Sequence, residues 1–429
     1  MYHLNRFSQR LSLSLIVALP LSFGLVASQA MAASSEYIQL LEPIQQHQPE
    51  QMTAQAIETL QAANQSLSSS WLAGDLSLNI HHENDALTGA ESAQTWALGA
   101  EFPVWLPSQK AALEGLSNGY QSQLRAQSGY LSWLASSTLR GLAWEAKKAT
   151  IEVDLAASAL EQSQALAERV QQKVNVGEST QLDLLLAQKS VLQQQTNLVQ
   201  KQGQLQRLQS QFTAWTGYEG LPADIDETAL APISLTAHPQ IVWLSSFLEV
   251  AQAELAQQKQ QKQAAPTLYV GAQNDRSTGF DNTSLVFEIS IPLGVGASNN
   301  MAVAEKQVAI TEKRAALKQA KFELKRAIIE ATQQVATQKK QGDLIQQQSV
   351  LDNKALALAE KSYQYGASTL QDLLRIQQQA LASQLTLELS NATLGQSIAQ
   401  LNQMMGYSLD STALNQAQKS LNSASGKGQ

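Results

Sequence analysis

The sequence predicts a mainly α protein made of two like halves, each a long coiled-coil helical hairpin that carries one β-hairpin. Three observations predict it. Markers recur at a single offset of 189 residues: Pro103 with Pro292, Gly177 with Gly366, Asp183 with Asp372, Leu205 with Leu394, and Gly217-Tyr218 with Gly406-Tyr407. An offset held from Pro103 to Tyr218 leaves no net insertion or deletion, so the duplicated unit has a fixed length. With only two copies it reads as a duplicated protomer, not a repeat array. Next, the ten prolines leave 108–221 and 293–429 free of proline, and both intervals are rich in Ala, Leu, Gln, Lys and Glu, the good helix formers. Finally, the only segments alternating between apolar and polar residues sit between helices, one hairpin per copy.

Residues 1–32 read as an export signal, with Arg6 and Arg10 as the positive region, an apolar stretch over 11–26 and Ala30-Met31-Ala32 as the cleavage site. Pro20 and several serines interrupt a run shorter than the roughly 20 apolar residues a spanning helix needs. The mature chain, 33–429, divides into repeat 1 at about 36–217, with strands within 72–105, and repeat 2 at about 234–406, with strands within 266–293. Residues 407–429 form an equatorial segment and a disordered tail, whose end is rich in Ser, Gly, Asn and Lys.

In the first copy a helix over 50–67 follows Pro49, and Pro239 plays the matching part before a helix reaching about Gln263. The long helices run from Pro107 to Gly177 and from Ala297 to Gly366, about 70 residues or roughly 100 Å each. A helix of that length must bury a seam along its whole course. Leu113, Leu116, Tyr120, Leu124, Leu131 and Leu134 step by threes, fours and sevens, as a coiled coil requires. Gly177 and Gly366 turn the chain, and helices of half the length follow, from Thr180 to Trp215 and from Thr369 to Met405.

The strands alternate cleanly. Leu76, Leu78 and Ile80 interleave with Ser77, Asn79 and His81, and the return strand places Trp96, Leu98, Ala100 and Phe102 against Thr95, Ala97, Gly99 and Glu101. In the second copy Leu268, Val270 and Ala272 are answered by Leu285, Phe287, Ile289 and Ile291, with Glu288 on the polar face. Each strand is about ten residues long, the length of a transmembrane barrel strand, whereas the smallest outer-membrane barrels have about eight strands. Four strands cannot close, so several protomers must contribute. Trp71, Trp96 and Trp105 lie near the hairpin ends, where aromatic belts meet a membrane interface.

Composition removes several function classes. Cysteine is absent, which excludes disulfides, a lipidated N-terminal cysteine and thiolate metal sites. A formal charge of −7, made more negative by loss of Arg6 and Arg10, disfavours nucleic acid as a partner. No nucleophile motif, phosphate loop or zinc spacing occurs, so the expectation is no enzyme, no catalytic residue, no cofactor and no metal site. His81-His82-Glu83, with Asp85 nearby, has metal-ligand chemistry, but adjacent strand residues point to opposite faces, and the plainer reading is a polar external loop.

Helix, strand hairpin, long helix, tight turn and half helix, duplicated behind an export signal, resembles the TolC family of outer-membrane efflux proteins over nearly the whole mature chain. The motifs that carry the resemblance are the turns 176–185 (VGESTQLDLL) and 365–374 (YGASTLQDLL), with the strand-end prolines Pro103 and Pro292. It implies a homotrimer whose hairpins close a twelve-stranded transmembrane β-barrel in outer-membrane lipid, continuous with an α-helical periplasmic tunnel. It also implies partnership with a periplasmic adaptor protein and an inner-membrane transporter. The turns would be the docking site for the adaptor: Val176, Gly177, Glu178, Ser179, Tyr365, Gly366, Ala367 and Ser368. The plainer role of Ser179 and Ser368 is to cap the following helix.

The resemblance further assigns a periplasmic gate. Asp372 matches an aspartate ring at the constricted entrance, and Tyr363 and Asp183 match a hydrogen-bonded pair that holds the inner coiled coil closed. The sequence departs from the best-known member in two places. Arg375 replaces a second aspartate, so that Asp372 and Arg375 could pair at i and i+3, and Ser368 replaces an arginine that assists the closed gate. Glu101 and Glu288 are expected to line the barrel lumen. The function implied is an exit duct for drugs, small toxic molecules or metal cations, with polypeptide export by a type I system as the alternative. A periplasmic adaptor would need many short soluble strands, and a structural coiled-coil fibre would need neither the hairpins nor the paired turns.

Overall fold

The computed structural model describes residues 35–410 except 88, 90, 91, 223, 224, 263 and 294–296; the export signal and the tail beyond 410 lie outside the described residues. The first copy comprises α1 (Ser35–Gln39), α2 (Leu41–His47), α3 (Glu50–Ser69), β1 (Ser77–Asn84), β2 (Gln94–Pro103), α4 (Pro107–Asn175) and α5 (Gln181–Thr216). The second comprises α6 (Pro239–Gln260), β3 (Thr267–Ser277), β4 (Phe280–Ser290), α7 (Ala297–Gln364) and α8 (Leu370–Met404). The long helices have 69 and 68 residues and the half-length helices 36 and 35, so the duplication is preserved almost to the residue.

Two differences from expectation stand at the start of the first copy. The short α1 and α2 were not foreseen; Pro43 sits in the first turn of α2, where a missing N–H is no loss. Pro49 stands just outside α3, whereas Pro239 is the first residue of α6, so the two prolines are neighbours in role but not equivalents.

Packing follows the predicted seam. Leu113, Leu116, Tyr120 and Leu131 are buried, while Leu124 and Leu134 are half-buried. The first part of α4 meets α6 through Leu116, Tyr120 and Val250. Its last part meets α5 and α8 through Leu166, Val170, Leu184 and Leu370. In this half the helices lie side by side in the order α5, α4, α8, α7. Midway, Tyr37, Ile44, Leu139, Trp144, Phe212, Ile225 and Leu409 form a third apolar cluster that ties α1, α2 and the inter-repeat segment to α4 and α5.

The four strands form one antiparallel sheet in the order β1-β2-β3-β4. Its central pairing, β2 with β3, joins the two copies. The register aligns Leu78, Ala100, Val270 and Phe287 in one row and Ile80, Leu98, Ala272 and Leu285 in the next, making an apolar band on one face that turns polar at His82, Asn274 and Thr283 toward the hairpin tips. On the opposite face run Ser77, Glu101, Tyr269 and Glu288, and, nearer the hairpin tips, Glu83, Thr95, Asp275 and Asn282. Gly99 opposes Gly271 beneath the Tyr269 ring; a Cβ at 99 would sit 2.4 Å from that ring and one at 271 would sit 2.5 Å from its hydroxyl. Among the described residues, no strand pairs with the outer edges of β1 and β4, and no helix is long and apolar enough to cross a membrane.

Candidate functional site

The two interhelical turns share the same backbone hydrogen bonds. Gly177 and Gly366 take φ of 81° and 70°, the left-handed region that glycine enters without a Cβ penalty. At the first turn Glu178 N donates to Lys173 O at 2.8 Å and Gly177 N to Val174 O at 3.0 Å. At the second, Ala367 N donates to Ser362 O at 2.8 Å and Gly366 N to Tyr363 O at 3.1 Å. This is the Schellman pattern, which satisfies the last carbonyls of a helix. Val176, Gly177, Glu178, Tyr365, Gly366 and Ala367 are exposed in the two turns, and Ser179 and Ser368 are half-buried. One apolar cluster, drawing Leu166, Val170, Leu184 and Ala187 from the first copy and Ala359, Leu370 and Leu373 from the second, sets the turns side by side.

The capping role falls one residue later than expected. Thr180 and Thr369, not Ser179 and Ser368, are the N-caps: Thr180 Oγ1 accepts from Asp183 N and Thr369 Oγ1 from Asp372 N, both at 3.1 Å. Each aspartate answers its own cap. Asp183 Oδ2 accepts from Thr180 N at 3.0 Å, Thr180 Oγ1 at 2.7 Å and Ser179 Oγ at 2.9 Å; Asp372 Oδ2 accepts from Thr369 Oγ1 at 2.6 Å. These bonds favour the carboxylates and hold both below their ordinary range, through Thr180 for Asp183 and through the Thr369 hydroxyl for Asp372.

Two expected ties are therefore not formed. No hydrogen bond joins Tyr363 to Asp183, because the carboxylate is taken up within its own turn; the Tyr363 hydroxyl is buried without a hydrogen-bond partner. Burial raises the Tyr363 pKa, with Ser179, Asp183 and Arg169 close enough to modulate it, and Lys173 Nζ lies 5.0 Å from its ring centre. Nor does Arg375 form an ion pair with Asp372, on which it acts only as the weakest of several influences. Beside Tyr363 a cleft of about 600 Å³, lined by Arg169, Lys173, Glu178, Glu360, Lys361 and Leu373 among others, separates the ends of α4 and α7.

At the other end of the molecule, Glu101 and Glu288 share the polar face of the sheet, flanking Tyr269 in one row. His81 and His82 do point apart: His82 stacks on Trp96 at 4.0 Å between ring centres, while His81 Nε2 lies 3.7 Å from Glu83. Among the described residues no group of three metal-ligating side chains forms.

Sequence reasoning missed a buried polar pin at mid-height. Arg140, 3% exposed, donates from Nε and Nη2 to the two oxygens of Glu227 at 2.7 and 2.9 Å and from Nη1 to Tyr407 O at 2.8 Å and to Gln403 Oε1. Asn402 Nδ2 donates to Glu227 at 3.0 Å and to Thr228 O at 2.9 Å. The segment between the copies is thereby fastened to α4 and to the end of α8. A lone arginine inside an apolar heptad was the available signal.

With this geometry in view, the chain has the fold of outer-membrane channel proteins. It matches a membrane protein from Pseudomonas aeruginosa over 89% of this chain and 94% of that one, with a TM-score of 0.67 at 14% identity. It matches CusC, described in terms of folding and transmembrane channel formation, over 88% and 94%, with a TM-score of 0.68 at 15% identity. The outer membrane protein VceC of Vibrio cholerae matches over 87% and 97%, with a TM-score of 0.63 at 16% identity. No protein-family model and no curated protein matches the chain by sequence.

Proposed function

We propose that this chain is one of three identical protomers of an exit duct in the outer membrane of a Gram-negative bacterium. Its sheet would supply four of twelve barrel strands, and its helices a sector of a periplasmic tunnel. The observation that carries this reading is the sheet itself: an apolar band on one face that gives way to His82, Asn274 and Thr283 toward the hairpin tips, a largely polar opposite face, and, among the described residues, outer edges that pair with no strand. An isolated sheet of that kind would leave its apolar face in water and its edges free to aggregate; a closed barrel in lipid satisfies both. The matched turns form the lower rim, where a periplasmic adaptor docks on Val176 to Ser179 and Tyr365 to Ser368 and couples the duct to an inner-membrane pump. Glu101 and Glu288 line the barrel lumen, where their charge favours cations over anions, and the cargo is a small organic molecule or a metal cation.

Asp372 gates the lower mouth as a ring of three carboxylates, with Asp183, Tyr363 and Arg375 beside it. Arg375 forms no ion pair with Asp372, although its charge acts on the carboxylate, so it offsets the ring only in part. In planar bilayers a detergent-stable trimer should conduct and be blocked by multivalent cations added from the turn side. Asp372→Ala should weaken that block, Arg375→Asp should strengthen it, and Tyr363→Phe with Asp183→Ala should raise conductance. A monodisperse monomer, soluble without detergent, would overturn the reading, and unchanged block across the variants would remove the gate from these turns.

A further inference from the structure

Resting on the reading of the chain as a protomer of a closed ring, we infer that its copies are zipped together by three apolar layers. Leu185, Leu192 and Val199 on α5 of one copy meet Leu358, Leu351 and Leu344 on α7 of the next. These six side chains are 62–69% exposed in the single chain, although each belongs to a helix that already has a buried seam. On α5, Leu185 lies two residues before buried Ala187 and Leu192 two after buried Ser190. On α7, Leu351 lies two after buried Ser349. Leu185, Leu351 and Leu358 also adjoin buried Leu184, Asp352 and Ala359, so at about 100° per residue the exposed stripe lies roughly 100–160° around the helix from the seam. A helix in the wall of a ring has neighbours on two such separate sides.

The layers also match in height. Counted from the turn glycines, Leu185 and Leu358 are both eight residues away, Leu192 and Leu351 fifteen, and Val199 and Leu344 twenty-two. On each helix the step is therefore seven, the coiled-coil repeat, and α5 rises from its turn as α7 descends to its own, so the stripes run antiparallel.

The duplication identifies the occupant. At the 189-residue offset α5 is the counterpart of α8, and α4 that of α7. Inside the chain α8 packs beside α4. The same relation applied once more places α5 beside an α7, but the chain's own α7 lies at the far edge, beyond α8. The partner is thus a second copy, and repeating the contact closes the ring. Such head-to-tail contacts form a ring when the rotation closes.

The chain contains no cysteine, so paired cysteines report the seam without background. Leu192→Cys with Leu351→Cys, oxidised in isolated outer membranes, should give a covalent species at three times the mass of the chain on non-reducing gels. The offset pair Leu192→Cys with Leu344→Cys, displaced by one heptad or about 10 Å, should not, because a disulfide needs Cα atoms within about 7 Å. Leu185→Cys with Leu358→Cys serves as an independent pair if the first disturbs assembly. Co-expressed single variants Leu192→Cys and Leu351→Cys should give covalent dimers only. Cross-linking within one chain, or preferential cross-linking of the offset pair, would overturn the seam. So would an intact conducting trimer in which neither matched pair cross-links, and that outcome would leave the duct standing. A monomer would overturn both.

Discussion

The Arg140–Glu227 pair holds two charges almost wholly out of water, and it survives there because the guanidinium makes four hydrogen bonds and Asn402 donates a further one to Glu227. Removing one partner strands the other. Arg140→Met should cost about 3–5 kcal/mol, whereas Arg140→Met combined with Glu227→Leu should recover much of it; urea midpoints of the detergent-solubilised protein would show the asymmetry. Near this pin His238, 1% exposed, is kept neutral by burial, with its pKa lowered to about 4 from 6.5. Its Nδ1 accepts from Gln240 N at 3.2 Å, capping α6. The unfolded chain takes up a proton below pH 6.5 and the folded one does not, so stability from this group is intact above that value and is lost as pH falls towards 4. Compared with His238→Asn, which keeps a capping acceptor, the native protein should show a steeper fall in thermal midpoint between these pH values. Parallel profiles would remove His238 from the account.

Among the elements, the hairpins carry the sharpest contrast, because adjacent residues of one strand face different solvents. Phe287 and Glu288 are neighbours on β4 but project to the apolar and polar faces. Phe287→Arg should impair assembly, by about 2–4 kcal/mol if it lies near the bilayer midplane, while Glu288→Arg should assemble normally and lower cation selectivity. Recovery of heat-modifiable trimer from the membrane fraction decides it, and equal behaviour of the two variants would mean the faces are misassigned.

For the whole molecule the controlling quantity is length. The two turns are matched in conformation and exposure and both are capped by a threonine, and they sit side by side because the helices that reach them differ by one residue, 69 against 68. Removing seven residues from α4 and seven at the same level from α5 preserves the heptad phase but raises one turn by about 10 Å. Such a variant should lose the shared cluster around Leu166, Val170, Leu370 and Leu373 and its conductance in bilayers. The same removal from α7 and α8 as well should restore both, since all turns then end at one level. Failure of the matched deletion to rescue would show that absolute length, not equality, matters.

What the sequence determined by itself is what local chemistry controls. The duplication, the long helices, the turn glycines and the alternation of the strands are each written in neighbouring residues: proline excluded where a helix must not break, glycine where φ must be positive, period two where a strand has two environments. Even the level-matched leucines on α5 and α7 are visible as a simple step of seven. Only the tertiary structure decided that β2 pairs with β3, that Tyr269 lies over Gly99 and Gly271, that Thr180 and Thr369 rather than the serines cap the helices, and that Asp183 turns to its own cap instead of to Tyr363. These are choices among partners of nearly equal local merit, or between residues far apart in the chain. They are settled by which groups the packed helices bring within reach of a hydrogen bond.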